Sequence, residues 1–75
     1  PAGEFISLSY SLSKEDAVHF EIYDHTGRQL TEKNVGPKTL GDHQEEIFIG
    51  DLPSGNYLLK VKGREWTMTK KIIKE

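Results

Sequence analysis

The sequence predicts an all-β domain, an immunoglobulin-like antiparallel β-sandwich of six to seven short strands. Three observations predict it. Apolar and polar residues alternate with period two along most of the chain, as half-buried strands require. Turn signals rich in Gly, Pro, Asn and Asp interrupt that alternation every 8 to 12 residues or so, the spacing of sandwiches and small barrels. No stretch long enough for a helix places its apolar residues at helical spacing.

The elements follow in order. Pro1–Phe5 carries no alternation and reads as a linker or cloning remnant, which leaves 6–75 as the domain. Ile6, Leu8, Tyr10 and Leu12 alternate with Ser7, Ser9 and Ser11, a strand with one buried face. After a polar turn at Ser13–Asp16, Val18, Phe20 and Ile22 alternate with His19, Glu21 and Tyr23. Asp24-His25-Thr26-Gly27 suits a type I turn closed by a left-handed glycine, so Arg28–Lys33 returns as a third strand with Leu30 inward. Asn34–Asp42 contains Gly36, Pro37 and Gly41 and reads as a loop, with at most a short edge strand around Lys38–Leu40. Gln44–Ile49 is a strand with Ile47 and Ile49 on one face. Leu52-Pro53-Ser54-Gly55 is a tight turn, in which Pro53 presets φ and Gly55 supplies a positive φ. Tyr57, Leu59 and Val61 mark the next strand, and Gly63-Arg64-Glu65 turns the chain. The last strand is Trp66–Lys74, with Thr67, Thr69, Lys71 and Ile73 facing away from Trp66, Met68, Lys70 and Ile72.

Composition narrows the function classes. A 75-residue chain makes one domain with a small core. It has no cysteine, which excludes a thiolate metal site, a cysteine nucleophile and a disulfide scaffold. The net charge of −2 gives no electrostatic footprint for nucleic acid. Apolar runs are too short to span a membrane, and no charged-then-apolar signal-peptide pattern opens the sequence.

The candidate chemical groups do not assemble into a site along the sequence. His19, His25 and His43 match no metal-ligand spacing and read as solvated surface. Asp24, Asp42 and Asp51 sit in turns, where a carboxylate accepts backbone hydrogen bonds. A calcium site needs several oxygens converging in one loop. Glu45 and Glu46 are strand neighbours and face opposite sides, so they cannot act as a catalytic pair. There is no Gly-x-Ser-x-Gly elbow and no phosphate-cradling glycine loop. Tyr57 and Trp66 could form a glycan platform, but a lone Trp at a strand start is more often packing. The expectation is a chain that is not an enzyme, with no catalytic, cofactor or metal residue, no cofactor, and no small-molecule substrate.

The basic segment Met68–Glu75 stands out. Its lysines suit an edge strand kept soluble by charge, and an exposed edge is also what a partner grips by adding a strand.

Four pieces in order carry a family resemblance. They are Ile6–Leu12, then Phe20-Glu21-Ile22-Tyr23-Asp24-His25-Thr26-Gly27-Arg28, then Leu52-Pro53-Ser54-Gly55-Asn56-Tyr57, and finally Thr69-Lys70-Lys71-Ile72-Ile73. Each alone is ordinary hairpin grammar. In this order and at these spacings the chain resembles the type A C-terminal sorting domain of the Bacteroidota type IX secretion system. The resemblance covers residues 6–75, with the loop Val35–Asp42 fitting loosely. It implies a domain that addresses an attached cargo protein to the outer-membrane translocon. It also implies cleavage upstream of the domain by a sortase-like surface peptidase. The route would run through the periplasm to the outer-membrane surface or the extracellular space. On this resemblance Asp24, Gly27, Leu52, Pro53, Gly55 and Tyr57 form the turn motifs. Thr69, Lys70, Lys71, Ile72, Ile73 and Lys74 are where translocon recognition is expected. Open edges also allow a homodimer by strand pairing or swapping. The alternatives are an immunoglobulin-like adhesion or spacer module, like the sandwich of flagellar hook-capping proteins, and a glycan- or calcium-binding accessory domain of a secreted enzyme.

Overall fold

A computed structural model of the chain describes residues 4–75. Six strands follow one another: β1 (Phe5–Leu12), β2 (Asp16–Asp24), β3 (Gln29–Lys38), β4 (Gly41–Phe48), β5 (Gly55–Lys62) and β6 (Thr67–Lys74). All pairings are antiparallel. One sheet holds β1 and β4, and the other has the order β3-β2-β5-β6. The all-β sandwich is the architecture that the alternation predicts.

The alternation also sets the core. Leu8, Tyr10 and Leu12 of β1, with Ile47 and Ile49, turn inward from the small sheet. Val18, Phe20 and Ile22 of β2, Tyr57, Leu59 and Val61 of β5, and Ile72 of β6 meet them from the large sheet. Ser7, Ser9 and Ser11 face water, where Ser11 donates to Asp42 at 2.5 Å and Gln44 donates to Ser7 at 2.6 Å. Central strands β2 and β5 carry the most deeply buried side chains: Val18, Ile22, Leu59 and Val61.

The middle of the chain departs from the sequence reading. The expected loop from Asn34 is a continuation of β3 as far as Lys38, and only 39–40 link it to β4. Gly36 and Pro37 punctuate a bulged edge strand, not a loop. Val18 pairs with Gly36 and His19 with Asn34, so Val35 is the extra residue. A second bulge makes Leu30 extra between Thr31 and Gln29. The Asn34 side chain accepts from the Gly36 N–H at 3.0 Å and shapes the first bulge. Pro37 is tolerated because β3 is the sheet edge, where a missing N–H removes no ladder bond. Both bulged residues, Val35 and Leu30, pack against the core.

The first strand begins one residue before the alternation at Ile6. Phe5 opens β1 opposite Phe48, and the two rings meet at 5.3 Å. Of the rest of the expected linker, residues 1–3 lie outside the described residues, and the Glu4 carbonyl accepts from the Ile49 N–H at 2.9 Å.

Candidate recognition site

The last strand is positioned by its own alternation. Ile72 is buried in the core, while Thr69, Lys70, Lys71 and Ile73 are exposed. Pairing with β5 runs without a register shift from Gly55–Lys74 to Lys62–Thr67. The Gly63 N–H bonds the Trp66 carbonyl at 3.0 Å, which fixes the phase of the ladder. In an antiparallel pair the bonded residues alternate. Trp66, Met68, Lys70, Ile72 and Lys74 therefore turn their backbone groups to β5. Thr67, Thr69, Lys71 and Ile73 turn theirs to the open edge.

Lys74 differs from the other lysines. Its side chain is only 8% exposed. Its Nζ donates to three backbone carbonyls, of Ile49 (2.9 Å), Gly50 (3.1 Å) and Leu52 (2.5 Å). The Glu4 carboxylate lies 3.7 Å away. Lys74 thus bolts the end of β6 to the turn before β5, and lies beside the residue that precedes β1. Of the six residues expected to be recognised, Ile72 and Lys74 are bound inward and the other four face out.

The two turn motifs meet beside that bolt. The register pairs Asp24 with Tyr57, and Gly55 with Lys74. Asp24 Oδ1 accepts from the N–H groups of Thr26 (2.9 Å) and Arg28 (3.0 Å) and from the Thr26 hydroxyl (2.5 Å). Those bonds, the Thr26 hydroxyl first, outweigh partial burial and hold the Asp24 carboxyl below its usual pKa. Gly27 closes the turn at φ +90°, and Gly55 has φ +153°, both conformations that side chains with a Cβ resist. Leu52 packs against the core. The buried Tyr57 hydroxyl donates to the Pro53 carbonyl, which locks the turn from below. A cavity of about 280 Å³ lies between the two turns, lined in part by Asp24, Arg28, Leu30, Pro53 and Tyr57. The Asp24 carboxylate serves the turn, as its residue type and position predict.

The opposite end is tied down by Asp16, which the sequence reading placed in a polar turn. Asp16 is buried and opens β2. Its carboxylate accepts from the Trp66 indole N–H at 2.8 Å, the Ala17 N–H at 2.7 Å and the Arg64 N–H at 3.2 Å. Burial pushes its pKa up, but these donors, with the Arg64 charge, win and hold it below the usual carboxylate value. Trp66 is therefore committed to closing the β5–β6 turn.

Charges on the outer face of the large sheet also gather across strands. Glu21 is buried there. Its Oε1 accepts from the Tyr23 hydroxyl at 2.5 Å and lies 3.1 Å from Lys62 Nζ, and its Oε2 lies 3.1 Å from His19 Nε2. The Tyr23 hydrogen bond is the largest influence, and with Lys62 and His19 it brings the Glu21 carboxyl down to about 2. Lys60 sits 4.9 Å above the Tyr23 ring. His19, Glu21 and Glu32 offer ligand atoms within 4.8 Å of one another, a grouping the linear spacing of histidines did not suggest. Both Glu21 oxygens are already engaged by donors. Within the sandwich, Tyr10 donates to Glu45 at 3.0 Å. Burial, then this bond, raises the Tyr10 hydroxyl to about 12. Lys38 pairs with the same Glu45 at 3.3 Å, while Glu46 faces water.

These features define a class: a small β-sandwich that presents a regular, lysine-bearing edge strand braced at both ends by turns. The model of the secretion system C-terminal sorting domain matches residues 1–75, and the chain belongs to that family. It is a type IX secretion sorting domain, and its family is not one of enzymes. No curated protein and no solved structure matches the chain. Membership implies that the domain interacts with the type IX machinery and directs export across the outer membrane, to the cell surface or beyond.

Proposed function

We propose that the translocon reads this domain in its folded state, chiefly through the exposed residues of β6: Thr69, Lys70, Lys71 and Ile73. The observation that carries the reading is the division within the terminal motif. Ile72 and Lys74 hold the strand in place, which leaves its four neighbours free for a partner. Export runs through the periplasm, where the sandwich folds. A sortase-like surface peptidase then cuts upstream of the domain. The domain is then the substrate of that peptidase.

The test is a fusion of the 75-residue chain to a periplasmic reporter, expressed in a type IX-competent host and in the same host lacking the translocon. Surface delivery is expected only in the competent host. Equal delivery in both, or retention in both, would point to an adhesion or spacer module instead.

A further inference from the structure

The large sheet has two edges, β3 and β6, and they are built differently. β3 is closed to further pairing by two bulges and Pro37, devices that natural sheets use to blunt an edge. β6 has neither over eight consecutive pairs. Its only guard is charge, from Lys70 and Lys71. Beside it the sandwich is open. β1 and β6 bound the same side, joined at one end by Lys74–Glu4 (3.7 Å) and at the other by Lys14–Glu65 (3.5 Å). Between them lies a cleft of about 360 Å³, lined by Tyr10, Leu12, Lys14, Trp66 and Met68 among others.

We infer that the open edge of β6 accepts an extended strand of a partner protein carrying two adjacent acidic residues flanked by apolar ones. This rests on the reading of β6 as the recognised strand and adds the mode and the chemistry. The backbone of the incoming strand bonds the outward-turned groups of Thr67, Thr69, Lys71 and Ile73. Adjacent residues of a strand face opposite sides, so Lys70 shares the face of Met68, which lines the cleft, and Lys71 lies on the outer face. Each meets one carboxylate of the acidic pair. Met68, half-buried in the cleft wall, and Ile73, 65% exposed on the outer face, take the apolar neighbours. The lysines that keep the edge from pairing with lysine-bearing strands thereby select an acidic one.

The probe is a blocked heptapeptide, Val-Val-Glu-Glu-Thr-Leu-Thr, which matches β6 in antiparallel register. It is expected to slow hydrogen exchange at the amides of Thr67, Thr69, Lys71 and Ile73 at least tenfold, leaving Ser7, Ser9 and Ser11 of β1 unchanged. The double variant K70E/K71E, whose side chains are exposed, is expected to fold normally and bind the probe at least tenfold more weakly. The same peptide with lysines in place of its glutamates is expected to bind the variant and not the parent. Protection at β1, or equal binding of both peptides to both proteins, would overturn the inference. Protection of the β6 amides by raised protein concentration alone would assign the edge to a second copy and overturn it too. Probe binding by the parent and its loss in K70E/K71E, with that variant still exported at the parental level, would leave the edge site standing and refute the sorting role of β6.

Discussion

Replacing Lys74 with Met keeps the aliphatic stem and removes the ammonium. Three carbonyls, of Ile49, Gly50 and Leu52, then lose their donor. A hydrogen bond to a charged group is worth about 1.5–3 kcal/mol. The turn lies at the surface, so water re-enters and restores part of the loss. The net cost expected is about 2–3 kcal/mol, a large share of the stability of a domain of this size. For a chain this short that corresponds to a fall in Tm of roughly 10–20 °C. The control is Lys71→Met, an exposed lysine on the same strand, expected to stay within about 0.5 kcal/mol. Thermal and urea unfolding followed by circular dichroism measure both. If K74M melts with K71M, the Lys74 bolt contributes nothing, and the division of β6 into holding and presenting residues fails.

Other outcomes follow from the same geometry. A Cβ on Gly63 would overlap the Trp66 indole and the Asp16 carboxylate, so Gly63→Ala should cost about 1–3 kcal/mol and shift Trp66 fluorescence, read by urea titration. Gly55→Val forces a branched side chain into φ +153°, and a loss of about 1–3 kcal/mol is expected in the same titration. The Glu21 carboxyl is depressed from 4.5 to about 2, so its contribution is present above pH 4.5 and is lost as pH falls through 2. Glu21→Gln should therefore flatten the fall in stability over that window, leaving the share due to Asp16 and Asp24, whose carboxyls are also held below their usual values. An unchanged slope in acid unfolding of E21Q would show that Glu21 is not held by its donors.

Much of this fold was legible because alternation reports a buried face directly. The faces of β1, β2, β5 and β6 follow from it residue by residue, and the Asp24–Gly27 and Leu52–Gly55 turns follow from turn chemistry. Around Gly36 and Pro37 it failed for a physical reason. The same residues end a strand or bulge an edge strand, and only the partner decides which. The pairing of β1 with β4 and of β2 with β5 links distant segments and leaves no local trace. The site was legible as a segment and not as a division of labour. A lysine near a chain end reads as solvated, and only the fold brings the carbonyls of residues 49, 50 and 52 around Lys74. Glu21 sits on the polar face of its strand and reads as exposed. Tyr23 and His19, two residues away on the same face, were visible partners, while Lys62 required the β2–β5 register.

A C-terminal truncation does not isolate recognition from folding. Deleting residues 71–75 removes Ile72 from the core and Lys74 from its carbonyls, so a loss of export would report unfolding. The direct measurement is surface delivery of a reporter carrying K70E/K71E beside one carrying the parent domain, with the Tm of each purified domain recorded. Both domains should melt within about 8 °C of each other, since exposed substitutions seldom exceed about 0.5 kcal/mol each, while surface delivery of the variant falls at least tenfold. Delivery of the folded variant at the parental level would contradict the claim that the exposed face of β6 is what the machinery reads.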